Sequence, residues 1–255
     1  MSVTDTSQHL GENDIHIWMV KPEQITTSTK LSAIVSPLEQ QKISRYRSDK
    51  AKHTALITRS FIRLLLSKYE NIAPQAWKFE ISELGKPEVS NASTPLRFNL
   101  SHNNEIIICA ICLNKDIGCD IENLSRKISV DAIAKRFFSP SEHALIAKDN
   151  ERFFEYWTLK EAFVKATGLG ISQGLDTFSF EIKAKGAHKN NDNISLTFNE
   201  NCKEKDPQNW YHSLHFPDQK HCIGLSVNNR KQTELKPNIR LFSAQDGLNL
   251  FSHLV

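Results

Sequence analysis

Asp120 and Glu122, two acidic residues two positions apart, are the side chains here best spaced for shared chemistry. In the run Ile117-Gly-Cys-Asp-Ile-Glu122, Ile117, Cys119 and Ile121 alternate with Gly118, Asp120 and Glu122. A strand sends alternate side chains to opposite faces, so the carboxylates share a face, roughly 6–7 Å apart at the backbone. So placed, they converge on one cation, or repel and raise each other's pKa without one. A solvated sheet face would show the same pattern. A second set lies in Phe153–Lys165, where Phe153, Tyr156, Leu159, Phe163 and Ala166 form a helical core stripe. Phe154, Thr158, Glu161 and Lys165 occupy the adjoining face. Glu161 and Lys165 either serve a site or form an exposed i,i+4 ion pair worth about 0.2–0.5 kcal/mol. The third set is Ser101-His102, closing Phe98-Asn-Leu-Ser-His102 after Gly85-Lys-Pro87. No G-x-S-x-G elbow surrounds Ser101, which disfavours serine-nucleophile catalysis.

The elements that must carry these residues occur twice. Ser36-Pro-Leu-Glu39 returns 103 residues later as Ser139-Pro-Ser-Glu142. Both read as helix starts, with Ser at the cap, Pro in the first turn and Glu reaching back. A longer helical pattern follows each, over Lys50–Tyr69 and Glu151–Thr167. A short apolar strand precedes each, Ile15–Trp18 and Ile117–Ile121, and a Phe-containing strand follows, Lys78–Ile81 and Phe178–Ile182. The order suggests a duplicated α/β unit with its boundary near Asn114–Asp116; a single α+β domain with accidental echoes is the plainer reading. Strands mixed with helical pairs favour α+β over a doubly wound parallel sheet. Residues 184–208 read as loop and hairpin connections. From Arg230 onward the chain reads as a peripheral extension with one strand near Asn238–Phe242.

Composition bounds the function. The chain has 255 residues, 39% hydrophobic and 24% charged, with a net charge of +3, which gives no global case for nucleic-acid binding. The start lacks the basic and apolar segments of a signal peptide, and no apolar run approaches a membrane span, so a cytoplasmic location is expected. Five cysteines do not make a disulfide framework. Cys109 and Cys112 form a CxxC inside the apolar run Ile106–Leu113, where an odd offset puts them on opposite strand faces. They read as core. No Gly-rich phosphate loop is present.

Five segments in order resemble the 4'-phosphopantetheinyl transferase superfamily, in its larger Sfp-type group. They are Gly85-Lys-Pro87, Phe98-Asn-Leu-Ser-His102, Ile117–Glu122, Ala134-Lys-Arg-Phe-Phe-Ser139 and Trp157-Thr-Leu-Lys-Glu-Ala-Phe-Val-Lys165. The resemblance implies an α+β fold of two similar α/β halves related by pseudo-twofold symmetry, with coenzyme A between them. Residues 1–115 would form the N-terminal half and 116–255 the C-terminal half, with the peripheral extension after about residue 230. It implies transfer of the 4'-phosphopantetheine arm to a serine of an apo acyl or peptidyl carrier protein, releasing adenosine 3',5'-bisphosphate. Magnesium, or manganese in its place, would be held by Asp120, Glu122 and Glu161. These three and Lys165 would be the catalytic set, with Glu161 the base for the serine proton. Coenzyme A would be touched by Asp120, Lys165, Lys86, Lys42 and the pair Ser101 and His102. Thr54 stands where many relatives carry an arginine near the 3'-phosphate, leaving Arg59 or Arg63 to take that role. Lys160 is either a phosphate ligand or a surface charge. Arg126–Val130 and Lys135–Phe138 read as a carrier-docking edge or as an ordinary amphipathic helix. A monomer with neither nucleic-acid nor membrane partners is expected. A catalytically silent relative that binds coenzyme A or a carrier, and a non-enzymatic interaction module, are the alternatives.

Overall fold

The structure, a computed structural model, describes residues 8–26, 28–83, 85–146, 149–183, 189–190, 193–229, 236–252 and 254. Parts of the expected loops at 184–208 and of the segment after Arg230 lie outside the described residues, as does the extreme N-terminus. The first half runs β1 (Asp14–Val20), α1 (Thr29–Ser32), α2 (Pro37–Ser44), α3 (Asp49–Leu66), β2 (Phe79–Ile81), β3 (Pro87–Val89), β4 (Leu96–His102) and β5 (Ile107–Leu113). The second half begins with β6 (Ile117–Asn123), α4 (Val130–Phe137), α5 (Pro140–Ile146) and α6 (Asn150–Thr167). It continues through β7 (Phe178–Ile182), β8 (Lys189–Asn190), β9 (Ile194–Phe198), β10 (Trp210–His215) and β11 (His221–Asn228). Strand β12 (Asn238–Phe242) and α7 (Ala244–Asn249) follow.

The fold is α+β, and the repeat is visible in the pairing. One sheet has the order β12-β1-β5-β4 and the other β6-β11-β10-β8. The triplets β1-β5-β4 and β6-β11-β10 share order and antiparallel sense. Two-stranded ribbons, β2-β3 and β7-β9, accompany them. The facing sheets bury Ile15, Ile17 and Met19 of β1 against Ile117, Cys119 and Ile121 of β6 in one apolar layer. Separate cores lie beneath α3 and α6. Cys109 belongs to the core under α3 and Cys112 to the layer between the sheets. Both thiols are free and buried.

Helix starts α2 and α5 are built alike. The Ser36 hydroxyl accepts from the Glu39 backbone N–H, and the Glu39 carboxylate accepts from the Ser36 N–H. Ser139 and Glu142 repeat the exchange. Each capping glutamate also meets a buried cation of the next long helix, Glu39 with Arg63 at 2.7 Å and Glu142 with Lys160 at 2.8 Å. Arg63 donates on to the Pro74 and Trp77 carbonyls ahead of β2, and Lys160 to the Leu175 and Phe178 carbonyls where β7 begins. One clamp therefore ties short helix, long helix and ribbon together in both halves. It corrects both expectations for Lys160. Its side chain is fully buried, and the three N–H groups an ammonium has are taken by Glu142 and two carbonyls, so it is neither a phosphate ligand nor a surface charge. Arg63 is buried in the same role.

The expected strand forms as β12 at the edge of the first sheet, where it pairs in parallel with β1, and Phe242 stacks on Trp18 at 3.8 Å between ring centroids.

Helix α6 is buried almost all round because its second face lies on β6 and β11. Contact is at backbone distance. A Cβ on Gly118 would stand 2.0 Å from the Ala162 carbonyl oxygen, and one on Gly224 2.5 Å from the Thr158 carbonyl. No side chain fits at either place. Gly224→Ala is therefore expected to lift α6 from the sheet and cost about 3 kcal/mol, the upper part of the usual overpacking range. Urea unfolding measures this; wild-type stability in the variant would show that the close approach is not required.

Candidate active site

Strand β6 meets the first half through β4. Asn99 and Ser101, two apart on β4, both point to β6, while Phe98 and Leu100 face the α3 core. Asn99 Oδ1 accepts from the Cys119 backbone N–H at 2.9 Å, and Cys119 Sγ donates to the Asn99 carbonyl. The Ser101 hydroxyl donates to Asp120 Oδ1 at 2.7 Å. From α6, Lys165 Nζ donates to the same Oδ1 at 2.6 Å, to Ser101 Oγ at 3.1 Å and to the Cys119 carbonyl at 3.3 Å. Side chains of β4 and α6, one from each half, thus converge on one carboxylate oxygen of β6. The other oxygen, Asp120 Oδ2, is buried and has no hydrogen-bond partner among the described residues.

A buried carboxylate oxygen without a donor is costly, and the neighbouring acids feel the same surplus of negative charge. Burial, then the Asp120 charge, pushes the Glu122 carboxyl up to about 7, against the opposing pull of Arg126 and Lys165. Burial and then Asp120 raise Glu161 as well. Burial would lower Lys165, but the Asp120 carboxylate outweighs it and the ammonium is held above its ordinary value. His102 is drawn down by lost solvation and by the Lys165 charge. Among the described residues no group of three or more His, Cys, Asp and Glu is close enough to hold a metal ion. What fits a cation is the chemistry of the donors: an open, buried Asp120 oxygen whose charge is felt by Glu161 and by Glu122, the latter paired with Arg126 at 3.0 Å.

Two grooves flank the turn after β4. One, of about 290 Å³, has Tyr46, Lys50, Thr54, Thr58 and Arg59 on the α3 side and His102 on the other. Arg59, then, and not Arg63, stands beside Thr54; its guanidinium also donates to the Ala55 carbonyl at 3.1 Å. The second groove, of about 430 Å³, runs past Glu122 and Arg126. Lys42 is exposed on α2 and lines neither groove. Lys86 is placed elsewhere too. Its ammonium donates to the Ile117 and Ala166 carbonyls and lines a separate cleft with Asp116, Thr167 and Gly168. Burial lowers its pKa. There it pins the β2-β3 ribbon of the first half to the C-terminal end of α6.

Two adjacent stretches of the chain match known family halves at this point. Residues 17–114 match the N-terminal region of 4'-phosphopantetheinyl transferases, and residues 116–226 match the 4'-phosphopantetheinyl transferase superfamily. A 4'-phosphopantetheinyl transferase of Bacillus subtilis is 35% identical over 67% of this chain and 76% of its own length. HetI of Nostoc sp. is 33% identical over 64% and 73%, and Sfp of Bacillus subtilis strain 168 is 32% identical over 67% and 76%. The chain belongs to the 4'-phosphopantetheinyl transferase superfamily.

For this transferase the residues missed by sequence reasoning are Asn99 and the groove residues Tyr46 and Lys50. Asn99 had a signal, because it alternates with Ser101 on one strand face. Among the described residues no helix is long and apolar enough to cross a membrane.

Glu122 makes the stability of the metal-free transferase depend on pH. Its folded carboxyl titrates at about 7 against an ordinary 4.5, so between these values the folded state keeps a proton that the unfolded chain has released. Stability falls as pH rises through that window. In chelator, the melting temperature should drop between about pH 5 and about pH 8 more in wild type than in Glu122→Gln; equal slopes would contradict the assignment.

Proposed function

We propose that this phosphopantetheinyl transferase moves the arm of coenzyme A onto a carrier-protein serine at the junction of β4, β6 and α6. The observation that carries the reading is Asp120, with one oxygen bonded by Ser101 and Lys165 and the other buried and open. The serine hydroxyl oxygen bonds to the β-phosphorus as the bond from that phosphorus to the bridging oxygen breaks. Adenosine 3',5'-bisphosphate leaves, and the hydroxyl proton passes to Glu161, whose raised pKa suits a base. Such chemistry is mostly positioning and charge stabilisation.

Asp120, Glu122 and Glu161 would hold magnesium, with manganese as an alternative, directly or through water. That ion would polarise the pyrophosphate and neutralise charge on the leaving phosphate. Lys165, Ser101 and His102 hold phosphate oxygens by hydrogen bonds, those from Lys165 charge-assisted. When phosphate arrives, the Lys165 ammonium has a second anion to bond besides Asp120. Arg59 and Lys50 bind the nucleotide's 3'-phosphate in the groove beside Thr54. Lys42 and Lys86 take no phosphate in this reading.

The acceptor is an apo acyl or peptidyl carrier protein, acidic near its serine. Helix α4 offers it exposed Lys135 and Arg136 next to half-buried Ile133 and Phe137, with Arg126 on the approach. The transferase acts as a cytoplasmic monomer and uses neither nucleic acid nor a membrane. The silent, binding-only reading is disfavoured by the intact set of Asp120, Glu122, Glu161 and Lys165.

Incubated with coenzyme A, magnesium and an apo-carrier, the transferase should add about 340 Da to the carrier, the mass of the arm. Glu161→Gln should still bind coenzyme A but turn over roughly 100-fold more slowly or worse. Intact-mass spectrometry reads both. No mass gain across a panel of apo-carriers refutes the transfer, and full turnover by Glu161→Gln refutes its role as base.

A further inference from the structure

Asp120 and Glu122 of β6 each meet a cation of the chain, and the two cations are held differently. Lys165 reaches Asp120 from α6 and donates as well to Ser101 and to the Cys119 carbonyl, which uses all three of its N–H groups. Arg126 reaches Glu122 from a turn. Its Nη1 lies 3.0 Å from Glu122 Oε2, and its guanidinium lies over the buried Phe154 ring of α6, 5.2 Å from the centroid. The Arg126 side chain is 52% exposed, that of Glu122 only 13%. The turn itself is fixed. The Arg126 N–H donates to the Asn123 carbonyl and the Ser125 N–H to Asn123 Oδ1. On either side, the Leu124 N–H donates to the Lys220 carbonyl, and Asn150 donates to the Leu124 carbonyl at 2.6 Å. Arg126 can therefore leave Glu122 by side-chain rotation alone. The pair borders the open groove past the turn after β4, so an ion reaches it from solvent.

Resting on the transfer reading above, we propose that Arg126 is a stand-in cation, which occupies Glu122 in the absence of the divalent ion and is handed to the acidic carrier when the ion is bound. A double positive charge on Glu122 would stand a few ångströms from the guanidinium. Their repulsion exceeds what a half-exposed ion pair is worth, so the two do not share the carboxylate. Lys165, with three acceptors, stays. The freed Arg126 joins exposed Lys127, Lys135 and Arg136, and the docking edge gains a cation only once the site is loaded. Such coupling is reciprocal: an acidic carrier that draws Arg126 away makes Glu122 a better ligand. The opposite arrangement gives the opposite sign. If Arg126 stayed on Glu122 and oriented it as a ligand, its loss would weaken ion binding about tenfold or more.

Electron paramagnetic resonance of free manganese(II), recorded with coenzyme A and no carrier, reads the ion affinity. Arg126→Ala should bind manganese about three- to fivefold more tightly than wild type, the worth of a half-exposed pair to a mostly buried carboxylate. Arg126→Gln, which keeps the stem over Phe154, should do the same and decides if the alanine variant does not fold. Lys127→Ala removes an exposed charge one residue on and should change the affinity less than about twofold. With saturating manganese, Arg126→Ala should raise the KM for an apo-carrier about threefold or more and leave kcat within about twofold. Unchanged or weaker manganese binding in both Arg126 variants overturns the proposal, as does equal tightening in Lys127→Ala. An unchanged KM overturns the hand-over to the carrier. Failure of the underlying reading looks different: wild type would then bind no manganese or add no mass to any carrier.

Discussion

The molecule depends on one close approach, the seating of α6 on β6 and β11 at backbone distance over Gly118 and Gly224. Helices normally rest on sheets through side chains, and here the side chains are absent where they would hold the layers apart. Ala162 and Ala166 of α6 consequently lie directly over Gly118 of β6, Thr158 lies over Gly224 of β11, and Lys165 reaches Asp120 with a short ion pair. Glu161 faces the same strand one turn earlier. A one-residue slip of β6 would exchange this acidic face for Ile117, Cys119 and Ile121. The alternate residues of β6 thus serve two ends, closing the layer between the halves and supplying acid to the site.

Duplication supplied the scaffold, and divergence supplied the chemistry. The apolar residues Ile15, Ile17 and Met19 of β1 match Ile117, Cys119 and Ile121 of β6 in the layer between the sheets. On this match Trp18 occupies the place of Asp120. It is buried beneath Phe242 of β12 and donates to the Tyr69 hydroxyl, so the first half has spent that position on packing. Its contact with Asp120 and Cys119 comes instead from β4, through Asn99 and Ser101. The two buried clamps, Glu39 with Arg63 and Glu142 with Lys160, hold both long helices in place. Breaking one by removing a single partner would leave a buried charge uncompensated.

Local patterns in the sequence revealed local structure well. The alternation in Ile117–Glu122, the capping pairs Ser36/Glu39 and Ser139/Glu142, the opposed faces of Cys109 and Cys112, and strand Asn238–Phe242 all appear where the residues place them. The partners of those elements were harder to read, because periodicity says which way a side chain points and not what stands opposite. Lys160 looked like a free cation because Glu142 is eighteen positions away and its carbonyl acceptors lie beyond the end of the helix. The same applies to Lys86, which caps a helix of the other half, and to β12, whose partner β1 lies at the opposite end of the sequence. Arg59 and Arg63, one turn apart on α3, could be told apart only once burial was known.

The central claim is that Asp120, Glu122 and Glu161 face a single divalent ion beside the pyrophosphate. Anomalous diffraction from a crystal grown with manganese and coenzyme A tests it most directly. The account predicts one manganese peak with Asp120 Oδ2 at about 2.1 Å and the two glutamates in contact with it directly or through one water. A peak away from Asp120, or full occupancy of coenzyme A with no metal between these carboxylates, would contradict it.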